Sequence, residues 1–124
     1  MNGPRIAIVG HGKMGRAVEQ LARERDLAIT ATIDHAANHQ SAAMNRERLG
    51  DADVVIEFTT GAAAPANILA AAHAGYAVVS GTTGWSTELP QVQQEIRAMN
   101  GTLLWSSRVT VVIWPGTPLM VTGP

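Results

Sequence analysis

The sequence predicts an α/β fold, a doubly wound Rossmann-type parallel sheet in a single domain, and three observations carry that expectation. Short apolar, β-branched runs alternate along the chain with segments of helical periodicity, the pattern of strands joined by right-handed helical crossovers. The first run ends in GHGKMG, Gly10 to Gly15, at the entry to an amphipathic segment. An acidic residue, Asp34, closes the second run about 20 positions after the glycines.

Ile6 to Val9 is continuously apolar, as expected of a central strand covered on both faces. From Met14 to Arg25, Met14, Ala17, Val18, Leu21 and Ala22 recur at helical spacing, and Arg16, Glu19, Gln20, Arg23 and Glu24 take the other face. Leu27 to Ile33 reads as the second strand. His35 to Arg48 is polar with weak periodicity and reads as loop, one helical turn aside. Asp53 to Phe58 is the third strand. Pro65 to Gly75 is a helix with proline near its start and glycine just past its end, and its many alanines suit tight packing on a sheet. Tyr76 to Ser80 is the fourth strand. Ser86 to Gly101 holds another helix, with Pro90 tolerable only in the first turn and Asn100-Gly101 as the stop, and Thr102 to Trp105 is the fifth strand.

After Arg108 the character changes, because VTVVIWPGTPLMVTGP contains no charged residue. Residues 1–107 are therefore read as a dinucleotide-binding domain and 108–124 as an atypical tail, with Val109 to Trp114 a candidate sixth strand followed by irregular chain. An uncharged β-prone run of this kind invites association unless something covers it. The chain's 124 residues suit one domain and are short for a two-domain enzyme. Hydrophobic content of 46% with 15% charged residues suits a globular, soluble protein, and no apolar run approaches the roughly 20 residues of a membrane span. No signal-peptide pattern precedes the first strand, so a cytoplasmic location is expected. Zero cysteines exclude disulfides, thiolate metal sites and cysteine nucleophiles, and a net charge of −1 gives no pointer to nucleic acid or a membrane surface.

Within the glycine motif, Gly10 permits the tight turn, Gly12 lets backbone approach a pyrophosphate, and Gly15 allows the helix to pack on the first strand. The helix start offers free N–H groups and positive dipole to phosphate, and Asp34 stands where a carboxylate can accept from ribose hydroxyls. Asp34 would repel a 2′-phosphate and favours NADH, whereas Lys13 and His35 would accommodate NADPH, so both cofactors stay open. A P-loop is excluded, since Met14 stands where Ser or Thr should follow the lysine. His35 and His39 have metal-ligand spacing but no third ligand, and read as solvated loop histidines. Ser106 and Ser107 lack a nucleophile elbow. EFTTG, Glu57 to Gly61, and SGTTGW, Ser80 to Trp85, both fall at strand C-termini, on the rim where open α/β sheets bind ligands, and suit the nicotinamide ribose and carboxamide.

With GHGKMGR, DVVIEFTT, VVSGTTGW and GTLLWSS in order, the chain resembles the N-terminal, cofactor-binding domain of the 4-hydroxy-tetrahydrodipicolinate (dihydrodipicolinate) reductase family over about Arg5 to Ser107. The resemblance implies a lysine- and diaminopimelate-pathway reductase that uses NADH or NADPH to reduce a cyclic dicarboxylate. It implies that Gly10, His11, Gly12, Lys13, Met14 and Gly15 form the pyrophosphate loop and Asp34 the ribose contact. Phe58, Thr59 and Thr60 then wall the nicotinamide, and Gly81, Thr82 and Thr83 touch nicotinamide, with Thr83 reaching substrate. The family continues into an Asn-aromatic-Ser segment and a second domain that carries a histidine pair and a lysine and builds a homotetramer. Here Arg108, Val109 and Thr110 follow Ser107, and no Lys, Arg or His follows Arg108. The expectation is a cofactor-binding part without the substrate domain, either truncated or altered after about Ser107, with no catalytic residue of its own and little turnover alone. The alternatives are a stand-alone NAD(P)-binding or sensing module, and another Rossmann dehydrogenase, which GTTGW disfavours.

Overall fold

The computed structural model describes residues 3–106, 110–113 and 119–122. Strands β1 (Ile6–Val9), β2 (Ile29–Ile33), β3 (Val54–Glu57), β4 (Ala77–Ser80), β5 (Leu103–Ser106), β6 (Thr110–Ile113) and β7 (Leu119–Thr122) form one sheet in the order β2-β1-β3-β4-β5-β6-β7. The first five run parallel, and β6 and β7 are antiparallel to their neighbours. Helices α1 (Lys13–Glu24), α2 (Arg46–Leu49), α3 (Ala64–His73) and α4 (Leu89–Ala98) lie between the parallel strands. This is the doubly wound Rossmann-type class. The sheet is built outward from β1: the chain goes to β2 on one side, then returns past β1 to lay down β3, β4 and β5 on the other. The C-terminal ends of β1 and β3 therefore flank the topological switch point where such sheets open a crevice.

Two of the expected elements need correcting. Beyond the sixth strand the sequence suggests irregular chain, yet Leu119–Thr122 pairs antiparallel with Thr110–Ile113, so a β-prone run with no helical period becomes a further strand. Of the expected sixth strand, Val109 and Trp114 lie outside the described residues, as do Ser107, Arg108 and Pro115 to Pro118. The polar stretch His35 to Arg48 contains more order than a loop: two short 3₁₀ turns within Ala36–Ser41, separated by a kink at Asn38 to Gln40, and the short α2, capped by the Asn45 side chain accepting from Arg48 N at 2.9 Å. Other helix ends follow their residues. Pro65 and Pro90 sit in the first turns of α3 and α4, Gly75 (φ +97°) follows α3, and Asn100 (φ +55°) rather than Gly101 takes the left-handed turn after α4.

Across β1, β3, β4 and β5 one face of the sheet is sealed. Ala7, Val9, Val55, Val78, Leu103 and Trp105 are buried there against Ile68 and Ala71 of α3, Val92 and Ile96 of α4, and Trp85. On the other face α1 covers Ile6 and Ile8 with Ala22 and Val18. Along β3, β4 and β5 the residues of that second face, Val54, Ile56, Ala77, Val79 and Leu104, are only half-buried.

Candidate functional site

At the switch point, β1 passes into the glycine loop and β3 into Phe58. Gly10 N donates to Ile33 O at 2.8 Å and Phe58 N to Val9 O at 2.9 Å, which ties the ends of β1, β2 and β3 together. Gly10 has φ +97°, and a Cβ there would lie 1.9 Å from Phe58 O. At Gly15 a Cβ would lie 1.8 Å from Gly10 O, so only glycine lets α1 start this close to the turn. Gly12 differs, because a Cβ there would meet nothing within 4 Å. It is the N-cap of α1 and no side chain caps the helix, so the first-turn N–H groups face an open space.

That space is a cavity of about 1010 Å³. Its walls bring together Gly10, His11, Gly12, Asp34, Phe58, Thr59 and Thr60 of the sequence-predicted residues. Lys13, Met14 and Gly15 do not line it and form the first turn of α1 behind it, with Gly15 buried and Met14 51% exposed. Gly81, Thr82 and Thr83 lie on the adjoining loop rather than on the wall. Thr83 is exposed, whereas Thr82 is buried with its side chain turned inward. His35 and His39 line the cavity and are exposed, and among the described residues no cluster of three or more potential metal ligands occurs. Among the described residues the wall contains no lysine or arginine.

His11 is anchored to the helix that follows it. Its Nε2 donates to Glu19 Oε1 at 2.8 Å, and Arg23 donates to Glu19 Oε2 at 2.9 Å. The hydrogen bond from His11, then that from Arg23, holds the Glu19 carboxyl below its ordinary pKa.

Two groups of residues escape the sequence reading. Asn67, buried in the alanine-rich α3, accepts from Asn38 Nδ2 at 2.9 Å and Ser41 Oγ at 2.7 Å, and so ties the 3₁₀ segment to the cavity wall. A lone amide among alanines is the available signal. Glu57 is 1% exposed, and its carboxylate accepts from Thr59 N and Thr59 Oγ1, from Ser80 Oγ at 2.6 Å, and from Thr82 Oγ1 at 2.9 Å. Strand parity gives the signal here, since residue 57 shares the inward face of Val55. Below it, Trp85 Nε1 and Trp105 Nε1 both donate to Thr82 O, at 2.7 and 3.0 Å. The GTTGW loop thus rests on two indoles whose ring centroids are 5.0 Å apart.

The parallel strands, the glycine turn against α1 and the crevice at their switch point define a Rossmann-type α/β domain of the dinucleotide-binding class. Residues 4–109 match the family model described as dihydrodipicolinate reductase, N-terminus, and the chain belongs to that family. It is 29% identical over 107 residues to the 4-hydroxy-tetrahydrodipicolinate reductase of Christiangramia forsetii, a match covering 86% of this chain and 42% of that protein. With the enzyme of the same name from Zymomonas mobilis it is 34% identical over 82 residues, covering 64% and 32% respectively. The chain thus spans less than half the length of these curated relatives. Among solved structures it is similar to the WlbA dehydrogenase from Chromobacterium violaceum, solved in complex with NADH and UDP-GlcNAcA. That likeness has a TM-score of 0.57 and 25% identity, over 82% of this chain and 34% of the other.

Proposed function

We propose that this chain is the nicotinamide-dinucleotide-binding part of a 4-hydroxy-tetrahydrodipicolinate reductase of lysine and diaminopimelate synthesis. The observation that carries the reading is the open space over Gly12 at the uncapped start of α1, in a crevice that also contains Asp34 and Phe58 to Thr60. Gly10 to Gly15 would hold the pyrophosphate through backbone N–H groups, and Asp34 the adenosine ribose. Phe58, Thr59 and Thr60 would wall the nicotinamide, with Gly81 and Thr83 on the loop beyond it. When bound, the reduced cofactor supplies a hydride. The residues of this chain bind it, orient it and exclude water from one side of its ring. A cyclic dicarboxylate needs fixed cations, and with no lysine or arginine among the described residues of the cavity wall these would come from elsewhere in a longer protein. The family's homotetramer and a cytoplasmic setting, which a chain without cysteine suits, complete the reading.

NADH is the favoured ligand. Asp34 and His35 line the cavity while Lys13 does not, so a 2′-phosphate would meet a carboxylate without the fixed charge of the lysine to offset it. Calorimetric titration of the folded chain is expected to give saturable binding of NADH, about tenfold or more tighter than NADPH. Gly12→Val, which fills the open space, is expected to weaken both by about tenfold. A folded chain that binds neither dinucleotide overturns the site. Equal affinities would remove Asp34 as the discriminator and leave the rest standing.

A further inference from the structure

Glu57 is the most deeply buried carboxylate among the described residues, it pairs with no cation there, and the glycine motif gives it no task. Its partners fall into two groups. Thr59 belongs to the loop after β3, whereas Ser80 and Thr82 belong to the end of β4 and the loop after it. The carboxylate therefore stands between the two loops assigned above to the nicotinamide end. A direct link runs beside it, since Thr59 N also donates to Thr82 Oγ1 at 2.8 Å. The loops touch at a second point, where the Phe58 ring covers Gly81 so closely that a Cβ there would lie 2.1 Å from Cε1.

The direction of the hydrogen bonds explains why a carboxylate occupies this position. Thr82 Oγ1 accepts from Thr59 N, and Ser80 Oγ accepts from Thr82 N at 3.3 Å, so both hydroxyl protons are left to point at Glu57. Thr59 Oγ1 adds a third donor, and the Thr59 N–H is shared between Thr82 Oγ1 and the carboxylate at 3.1 Å. Only a group that accepts at both oxygens satisfies all of them, and an amide of the same shape would turn donors against donors.

We propose that Glu57 is a positioning residue: it sets the separation and orientation of the Phe58-Thr59-Thr60 and Gly81-Thr82-Thr83 loops, and thereby the affinity for the nicotinamide half of the cofactor, without touching the cofactor itself. The inference rests on the dinucleotide reading above. It predicts a split between ligands. ADP-ribose engages the glycine loop and Asp34 but lacks nicotinamide, so it should not sense Glu57, whereas NADH should.

The experiment compares binding of NADH and of ADP-ribose to the 124-residue chain and to Glu57→Gln, with circular dichroism as the folding check. The expected result is a loss of about tenfold for NADH, the effect of unpairing buried donors, with ADP-ribose binding changed by less than about twofold. Equal losses for both ligands, or none for either, overturn the proposal. If Glu57→Gln does not fold, Thr82→Val and Thr82→Ser decide the matter. The valine should reproduce the selective loss and the serine, which keeps the hydroxyl, should restore NADH binding; a serine as weak as the valine overturns the proposal. A wild-type chain that binds neither ligand overturns the dinucleotide reading itself. One that binds ADP-ribose as tightly as NADH overturns the assignment of the two loops to nicotinamide, and the role of Glu57 with it.

Discussion

Gly10 and Gly12 stand two residues apart in one motif, yet a methyl group added to each would meet opposite surroundings. At Gly10 it would be driven into Phe58 O from a backbone at φ +97°, whereas at Gly12 it would enter open space from an ordinary φ of −87°. Gly10→Ala is therefore expected to destabilise the fold by ~3 kcal/mol, and Gly12→Ala to leave stability within about 0.5 kcal/mol, both read from urea unfolding. Similar losses for the two would refute the division of labour. The glycine pattern, Asp34 and the two threonine loops are legible in sequence because each occupies a fixed offset from a strand end. Glu57 is legible only in part. Strand parity puts the glutamate of DVVIEF on the inward face of Val55, but only the pairing of β3 with β4, in which Glu57 lies opposite Ser80, shows the hydroxyls it meets there. Thr82 shows the reverse: its place in GTTGW suggests a ligand contact, while its hydroxyl is committed to Glu57.

Between elements, exposed charge ties the beginnings of strands as buried polarity ties their ends. Arg5, just before β1, donates its backbone N to Asp53 Oδ2 at 2.8 Å and its guanidinium to Asp53 Oδ1 at 3.0 Å and Asp51 at 2.9 Å, so β1 and β3 start in register. The guanidinium, then the backbone N–H, hold the Asp53 carboxyl below its ordinary pKa. A carboxyl lowered in the folded state stabilises fully above its unfolded pKa and loses that contribution as pH falls through the folded value. The urea midpoint of the wild-type chain should thus fall on acidification below the ordinary carboxylate range, and Asp53→Asn should flatten that acid limb while lowering the midpoint modestly at neutral pH. Parallel acid limbs in the two proteins would rule the pair out as a contributor. The main helices and strands were legible from apolar period and from their Pro, Asn and Gly ends. The 3₁₀ segment Ala36–Ser41 was not, because its order depends on Asn67, 29 residues from Asn38 and 26 from Ser41, and no local pattern carries that information.

For the whole molecule, alternation of strands and helices was enough to give the class, and the switch point to give the crevice. It could not give β7, since an antiparallel strand has no crossover helix to announce it. Nor does alternation reveal that the two faces of the sheet differ. Buried parallel strands are normally covered on both sides. Here Val55, Val78 and Leu103 are sealed, whereas Val54, Ile56, Ala77, Val79 and Leu104 on the reverse side are half-buried. The folded chain is expected to bind the dye ANS, and Val54→Thr, at the end of β3 away from the crevice, to reduce that fluorescence with NADH affinity unchanged; a native chain that leaves the dye dark would disprove it. In colloidal terms the half-buried side chains of that face form one weakly adhesive patch. The molecule's osmotic second virial coefficient should be set by that patch rather than by a net charge of −1, so adding salt to screen repulsion should change its solubility less than adding a single hydroxyl to the half-buried side of β3.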